Sequence, residues 1–201
     1  MKKFIAIMTL MLLLVSFAGA QASATASTQT PAASSAPAAP VSGFKKEFLT
    51  NYETLFKKMI DLATKMPEEK YDWRPAEGVR SIGEVYLHIG IANYGFASSF
   101  GAQFPTDINL RTLEKSKPGK AKTIEFLKRS NEYVRGLIVA MSDADLDKGI
   151  KLFGNPTTVR GAIVFMGMHH SEHLGQSIAY ARVNGVVPPW SEEAPAPAPK
   201  K

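Results

Sequence analysis

The sequence predicts an all-α fold, a four-helix bundle. Three observations lead to this expectation. Four stretches place apolar residues at helical spacing, capping and stop signals bound these stretches, and no convincing pair of strands interrupts them. The connection between the second and third stretches, residues 103–119, is long enough for a crossover topology. We therefore expect one bundle domain over residues 43–190.

The first helix is expected over residues 44–66. Apolar side chains recur in this stretch at steps of three and four, which places them on one helical face. Pro67 then ends the helix, because proline lacks the amide hydrogen that a continuing helix needs. The next stretch, residues 67–80, is expected to be irregular. The apolar face consists of Phe48, Tyr52, Leu55, Phe56, Met59, Leu62, Ala63 and Met66.

The second helix has a well-defined start. Ser81 is followed three residues later by Glu84, which is the spacing of a capping box, so we expect a helix from residue 82 to about residue 99 or 101. Gly83 and Gly90 lower its helix propensity, and close packing against a neighbouring helix is expected to compensate. Its apolar face consists of Val85, His88, Ile91, Ala92 and Phe96.

The third helix is expected to end near Ser142. Residues 143–156 then form a connection, in which a short extended hairpin around residues 150–153 is left open. The apolar residues that define this helix are Ile124, Leu127, Val134, Leu137, Ile138 and Met141.

The fourth helix is bounded at both ends. Thr157 or Thr158 is expected to cap its start, and it ends at Asn184 and Gly185, where glycine suits the left-handed residue that follows a helix. The two prolines at positions 188–189 then prevent the helix from continuing.

Composition and charge exclude several classes of function. The chain has no cysteine, which excludes disulfides, thiolate zinc sites, iron–sulfur clusters and cysteine nucleophiles. Its formal net charge is +6, but the lysines and arginines alternate with acidic residues along the predicted helices, as in residues 57–61 and 128–132. Nucleic-acid binding requires clustered basic residues, so no nucleic-acid partner is expected.

Residues 1–20 are typical of an export signal. Two lysines supply the positive end, residues 4–17 form an apolar run, and small residues precede a cleavage position after Ala20. Cleavage after Ala24 and retention of the segment as a membrane anchor are the alternatives. We therefore expect a periplasmic or secreted protein that meets the membrane only through this segment before cleavage.

Two further segments are too poor in apolar residues to fold. Residues 21–42 contain almost only Ala, Ser, Thr, Pro and Gln, which bury too little apolar surface to offset the entropy of ordering. Residues 191–201 repeat this composition on a shorter scale. The first is expected to be a disordered linker and the second a disordered tail.

The four histidines of the chain occupy two places. His88 lies in the second helix, and His169, His170 and His173 lie in the fourth. His169 and His173 are four residues apart, so they share a helical face and could bind one metal ion, whereas His170 is rotated away from them. If the two helices pack side by side, His88 could supply a third ligand and leave one position open for water. The alternative is that these histidines are ordinary core residues.

A second pattern overlaps the same residues. The run 169–173 has the spacing H-x-x-E-H of inverzincin metalloproteases, in which the glutamate, here Glu172, is the general base. That signature requires a third ligand well downstream in a large domain, and only Glu192 and Glu193 follow, in the expected tail. A protease is therefore not expected, and Glu172 is interpreted as a solvent-facing residue beside the histidines.

Two segments of the chain resemble the DinB/YfiT-like family of four-helix-bundle metalloproteins. The first is WRPAEGVRSI at residues 73–82, which leads to His88. The second consists of His169, His173, Gly175, Gln176, Tyr180, Arg182, Gly185, Pro188 and Pro189 in the order typical of the family. The resemblance implies that His88, His169 and His173 bind a divalent metal ion, commonly zinc or nickel. The resemblance also implies an enzyme, since better-understood relatives are thiol-dependent S-transferases or isomerases and others are suspected metal hydrolases.

These observations together predict an exported metal-dependent hydrolase or transferase, possessing a three-histidine site and acting on a small-molecule substrate. Glu172, Gln176 and Tyr180 are the nearest candidates for proton transfer or for orienting the ligands. Export weakens thiol transfer as a hypothesis, because reduced small thiols are scarcer outside the cytoplasm. The alternatives are a non-catalytic bundle that binds a metal or another ligand, and an interaction module. A homodimer is also left open.

Overall fold

The computed structural model of the chain describes residues 43–192. The expected export signal and linker, residues 1–42, and residues 193–201 of the expected tail lie outside this part of the chain. Four long helices dominate it, joined by shorter elements. In chain order the elements are α1 Gly43–Lys65, a 3-10 turn Glu68–Lys70, α2 Ile82–Ser99, α3 Leu110–Leu113, α4 Lys120–Ala140, α5 Asp143–Leu146, β1 Gly149–Leu152, β2 Asn155–Thr158, α6 Val159–Val183 and α7 Pro189–Glu192.

The four long helices pack as a bundle, which confirms the predicted fold class. Helix α1 contacts α4 and α6, and α2 contacts the same two helices. Helices α1 and α2 therefore lie diagonally across the bundle from each other, whereas the long connection after α2 joins the neighbouring helices α2 and α4. The core between the helices includes fully buried side chains from all four, such as Met59, Ile89, Ile138 and Met166.

The local signals at the helix ends act as the sequence predicts. The Ser81 hydroxyl accepts from the amide of Glu84, and the Glu84 carboxylate accepts from the amide of Ser81, which completes the capping box of α2. Thr158 caps α6 by accepting from the amide of Gly161. Gly185, with φ of +75°, follows the α6 C-cap in the left-handed region.

Glu84 carries a buried charge at the start of α2. Its side chain is only 5% exposed, and it pairs with Arg74 at 3.1 Å and Lys115 at 3.0 Å. Burial by itself raises the pKa of this carboxyl, but the Ser81 amide, Lys115 and Arg74 outweigh burial and lower the pKa to about 2. Glu84 therefore ties the turn before α2 and the long connection after it to one point.

Gly90 permits the close approach of α2 to α4. A Cβ atom at this position would lie 2.5 Å from the ring of Phe126 on α4. The expectation that packing compensates for this glycine is therefore met at α4.

The connections contain more structure than the sequence predicts. The connection after α2 includes the single turn α3, and the connection after α4 includes α5 and the antiparallel pair β1 and β2. The hairpin left open around residues 150–153 is therefore present, and the expectation of no convincing strand pair is wrong here. Each strand has only four residues, which is too short for a clear alternation of apolar and polar residues. Helix α7 likewise includes Ser191 and Glu192, which composition assigns to the tail.

Among the residues that the structure describes, no helix combines the length and the apolar character needed to cross a bilayer.

Candidate metal centre

The bundle brings His88, His169 and His173 together. His88 extends from α2, and the other two extend from successive turns of the neighbouring helix α6. The Nε2 atom of His169 lies 3.3 Å from Nε2 of His88 and 3.2 Å from Nε2 of His173. All three side chains are partly buried, and among the described residues they form the one group of histidine, aspartate or glutamate side chains close enough to hold an ion.

The spacing of the three nitrogens fits a metal ion. Zinc binds histidine nitrogen at about 2.0–2.1 Å, so two nitrogens of a tetrahedral site lie roughly 3.3 Å apart. The two measured separations are 3.2 and 3.3 Å. Three imidazoles also leave one position of such a site for water or substrate, which is the donor set of a reactive site and not of a closed structural one.

A hydrogen-bonded chain fixes the orientation of His173. Its Nδ1 lies 2.8 Å from Oε1 of Gln176, and Nε2 of Gln176 donates to the Tyr180 hydroxyl at 2.9 Å. Because an amide oxygen can only accept, Nδ1 of His173 is the nitrogen that carries the proton. Its Nε2 then presents a lone pair to the other two rings, which is the form of imidazole that binds a metal.

His88 has a carboxylate behind it. Its Nδ1 lies 3.4 Å from Oε2 of Glu114, a residue of the connection between α2 and α4. The other oxygen of Glu114 accepts from Nε of Arg80 at 2.7 Å. A carboxylate in this position favours a proton on Nδ1 and leaves Nε2 of His88 free to act as a ligand.

Two of the three histidines of the cluster, His169 and His88, favour their uncharged form. Burial, followed by the charges of His173 and His170, lowers the pKa of His169 to about 3. Burial and the neighbouring Arg80 also lower the pKa of His88. Ring nitrogens whose lone pairs converge repel one another, and a cation between them removes this repulsion. The residues present therefore fit a divalent metal ion.

His169 differs from its two partners. Its Nδ1 is buried and has no hydrogen-bond partner among the described residues. The ring instead packs against the edge of Phe96, with centroids 5.7 Å apart. One face of the histidine cluster is therefore apolar, whereas the Nδ1 atoms of the other two rings face polar groups.

The other residues singled out in the sequence differ in their relation to the histidine cluster. Gln176 and Tyr180 belong to the hydrogen-bonded chain behind His173, and Trp73 packs edge-on against Tyr180 at 5.4 Å. His170 is rotated away, as predicted, and lies fully buried against Tyr52 and Phe56. Glu172 is exposed, as interpreted from the sequence, but it lines a groove between α1 and α6 and not the histidine cluster.

Sequence reasoning missed Glu114 and Arg80. Both lie outside the long helices, and 34 residues separate them in the chain. Arg80 belongs to the segment that carries the family resemblance, but Glu114 occupies a connection without a local signal. Trp190 on α7 lies beneath the ammonium group of Lys58, 5.5 Å from its ring centroid.

Comparison with known proteins identifies relatives of this architecture. The family model described as the DinB superfamily matches residues 51–177. Nothing among curated proteins matches the sequence.

Two solved structures illustrate the similarity. A DinB-like protein from Bacillus cereus ATCC 10987 is 20% identical and superposes with a TM-score of 0.63, over 72% of this chain and 95% of that one. YfiT from Bacillus subtilis, described as a probable metal-dependent hydrolase with an unusual four-helix bundle topology, is 15% identical. It superposes with a TM-score of 0.57, over 75% of this chain and 94% of that one. At these identities the likeness concerns the fold.

Proposed function

The chain belongs to the DinB superfamily, and from this premise we propose that it is a divalent-metal-dependent enzyme, a hydrolase or a transferase. The metal ligands in this proposal are His88, His169 and His173. The observation that carries it is the convergence of their three Nε2 atoms, with separations of 3.2 and 3.3 Å along the cluster. The description of YfiT as a probable metal-dependent hydrolase also supports a metal-dependent reaction.

The surrounding residues prepare the ligands for this task. Gln176 keeps the proton of His173 on Nδ1, and Glu114 favours the same arrangement in His88. Arg80 holds Glu114 in place through its Nε–H donor. When bound at such a site, a zinc or nickel ion supplies Lewis acidity, which polarises a carbonyl or phosphoryl oxygen and makes water more acidic.

Tyr180 lies one residue further from the cluster than Gln176, at the outer end of the hydrogen-bonded chain behind His173. Its hydroxyl oxygen accepts from Gln176, and this hydrogen bond does not use the phenolic proton. Glu172 is not assigned to proton transfer at the histidine cluster, because it lines the groove between α1 and α6. We therefore assign Tyr180 and Gln176 to orienting the site, and we propose no proton transfer through Glu172.

The expected export favours one of the two reaction classes in this proposal. Residues 1–20 have the composition of an export signal, so we propose that the protein acts in the periplasm or outside the cell. Small reduced thiols are scarce there, which favours water over a thiol as the nucleophile. Hydrolysis of a small molecule is therefore the preferred reaction.

The test of the metal site is elemental analysis of the chain, purified without a histidine tag and offered zinc or nickel. We expect one ion per chain. Replacement of the ligand His88 by alanine should weaken affinity by at least the roughly 10-fold to 100-fold that loss of a partner behind a ligand costs. His170→Gln is the matched control, because it changes a histidine adjacent to the cluster that points elsewhere. Melting curves of both variants separate ligand loss from unfolding.

The result also separates enzyme from binding protein. One ion bound by the three histidines justifies a screen of ester, amide and phosphate substrates with and without the ion. Hydrolysis that disappears in His88→Ala supports the enzyme. Full metal binding in His88→Ala would refute the cross-helix site, and a metal-loaded chain without turnover would favour the non-catalytic bundle.

A further inference from the structure

Three phenylalanines form a continuous aromatic surface beside the histidine cluster, and we call it the aromatic wall. It consists of Phe96 on α2, Phe165 on α6 and Phe153 in the turn between β1 and β2. The ring centroids lie 6.1 Å apart for Phe96 and Phe165, 6.3 Å for Phe96 and Phe153, and 5.8 Å for Phe153 and Phe165. Each ring therefore contacts both of the others.

The wall is continuous with the candidate metal centre. Phe96 contacts the ring of His169 at 5.7 Å, so a single side chain separates the outer phenylalanines from a proposed ligand. Exposure increases away from the histidines, from 3% for Phe96 to 43% for Phe165 and 77% for Phe153. The wall thus leads from the buried histidine cluster to solvent.

Phe153 occupies a backbone conformation that is unfavourable for phenylalanine. The register pairs Leu152 with Asn155, so Phe153 and Gly154 form a two-residue hairpin turn. Their φ angles are +51° and +84°, as in the type I′ turn, in which the first position favours asparagine, aspartate or glycine. A phenylalanine there has a strained backbone, and most of its ring is exposed to water.

Neither backbone preference nor burial explains this phenylalanine. At this position the phenylalanine ring forms the outer end of the apolar surface that begins at His169. His88, another ring of the cluster, has charged neighbours, because Glu114 and Arg80 form an ion pair behind it. The site therefore combines a polar side with an apolar side, which matches a substrate built in the same way.

We propose that the aromatic wall binds an apolar substituent, aryl or alkyl, of the substrate whose polar reacting group lies at the histidines. This inference rests on the proposed function of the histidine site and adds the substrate class. Phe153 is its specificity-determining residue, because it is the most exposed ring of the wall and contributes least to the core.

The experiment compares two metal-chelating probes on the zinc-loaded full chain. Acetohydroxamate and 3-phenylpropionohydroxamate share one chelating group, and only the second carries an aryl group that can reach the wall. Calorimetric titration should show the aryl probe binding about tenfold more tightly, the gain expected from burying part of a phenyl ring. In Phe153→Asn the preference should fall to about twofold, while acetohydroxamate binds unchanged.

The substitution is chosen so that the fold survives it. Asparagine suits the turn, which offsets the lost ring contacts, and the melting temperature should change by less than about 4 °C. Phe104→Asn is the matched control, because Phe104 is 49% exposed and belongs to the connection after α2, outside the wall. This control should keep the tenfold preference.

Each outcome separates the wall from the metal site. If Phe153→Asn binds zinc and keeps the full aryl preference, the wall proposal is overturned and the metal site stands. If the unchanged chain binds no zinc, the proposed function fails and the wall proposal fails with it. If light scattering shows that Phe153→Asn dissociates a dimer, the exposed ring serves contact between copies and the proposal is likewise overturned.

Discussion

The hydrogen bond from His173 to Gln176 should strengthen metal binding at the proposed site, and Gln176→Leu tests this directly. Oε1 of Gln176 lies 2.8 Å from Nδ1 of His173, within the range of a good hydrogen bond. Leucine has similar size but no acceptor, so the proton of His173 becomes free to occupy either ring nitrogen. The tautomer with Nε2 protonated cannot bind the ion through Nε2, the nitrogen that faces the cluster.

The expected loss follows from the energy of that one bond. A neutral hydrogen bond contributes about 1 kcal/mol, and removing a partner behind a metal-binding histidine costs about 10-fold to 100-fold in affinity. His173 and Gln176 are only partly buried, so water can replace some of the lost interaction. We therefore expect the lower end of the range, about a tenfold weaker affinity for zinc.

The assay is a competition titration of zinc against a chromophoric chelator. Gln176→Glu is the matched control, because its carboxylate also accepts from Nδ1 and should keep or increase the affinity. Tyr180→Phe removes only the outer bond of the chain, whose donor is Nε2 of Gln176, and should cost about threefold or less. Equal affinity in Gln176→Leu and the unchanged chain would refute the role assigned to this bond.

Three further substitutions test the packing and charge that support the site. Gly90→Ala should lower the free energy of unfolding by about 1–3 kcal/mol in urea titrations, because its Cβ would lie 2.5 Å from the Phe126 ring. Gly95→Ala on the same helix meets nothing within 4 Å and should raise it by about 0.5–1 kcal/mol, and a loss equal to that of Gly90→Ala would contradict the packing argument. Glu84→Gln should cost about 3 kcal/mol at pH 7, since the pKa of this carboxyl is lowered to about 2 in the fold. A lowered carboxyl pKa stabilises the fold above the unfolded value near 4.5, and this contribution is lost as the pH falls through about 2. The difference between the two proteins should therefore disappear over this range, and it should be absent at every pH if Glu84 is unpaired.

The long helices could be predicted because their signals are local. The capping box of Ser81 and Glu84 involves residues three apart, and the cap at Thr158 and the stop at Gly185 involve only adjacent turns. Apolar residues at steps of three and four then identify the buried face of α1 without knowledge of any neighbour. None of these inferences depends on how the helices pack together.

Only the part of the candidate site that lies within a single helix could be predicted from residue spacing. His169 and His173 share a face because of their spacing within α6, but the convergence of His88 requires that α2 packs beside α6. The family resemblance supplied this step, and spacing alone did not. Glu114 could not be found in either way, because its contact with His88 depends on the path of a connection that periodicity does not describe.

The residues around the histidines therefore come from a different part of the fold than the histidines themselves. The helices supply the three imidazoles, whereas the connection after α2 supplies Glu114 and the hairpin before α6 supplies Phe153. A ligand on a helix is fixed by packing, but a residue in a connection can change without disturbing the core. A fold of this kind can keep its metal chemistry while the connections alter ligand basicity and substrate preference. Exchange of Phe153 should therefore change which molecule binds and not whether the ion binds.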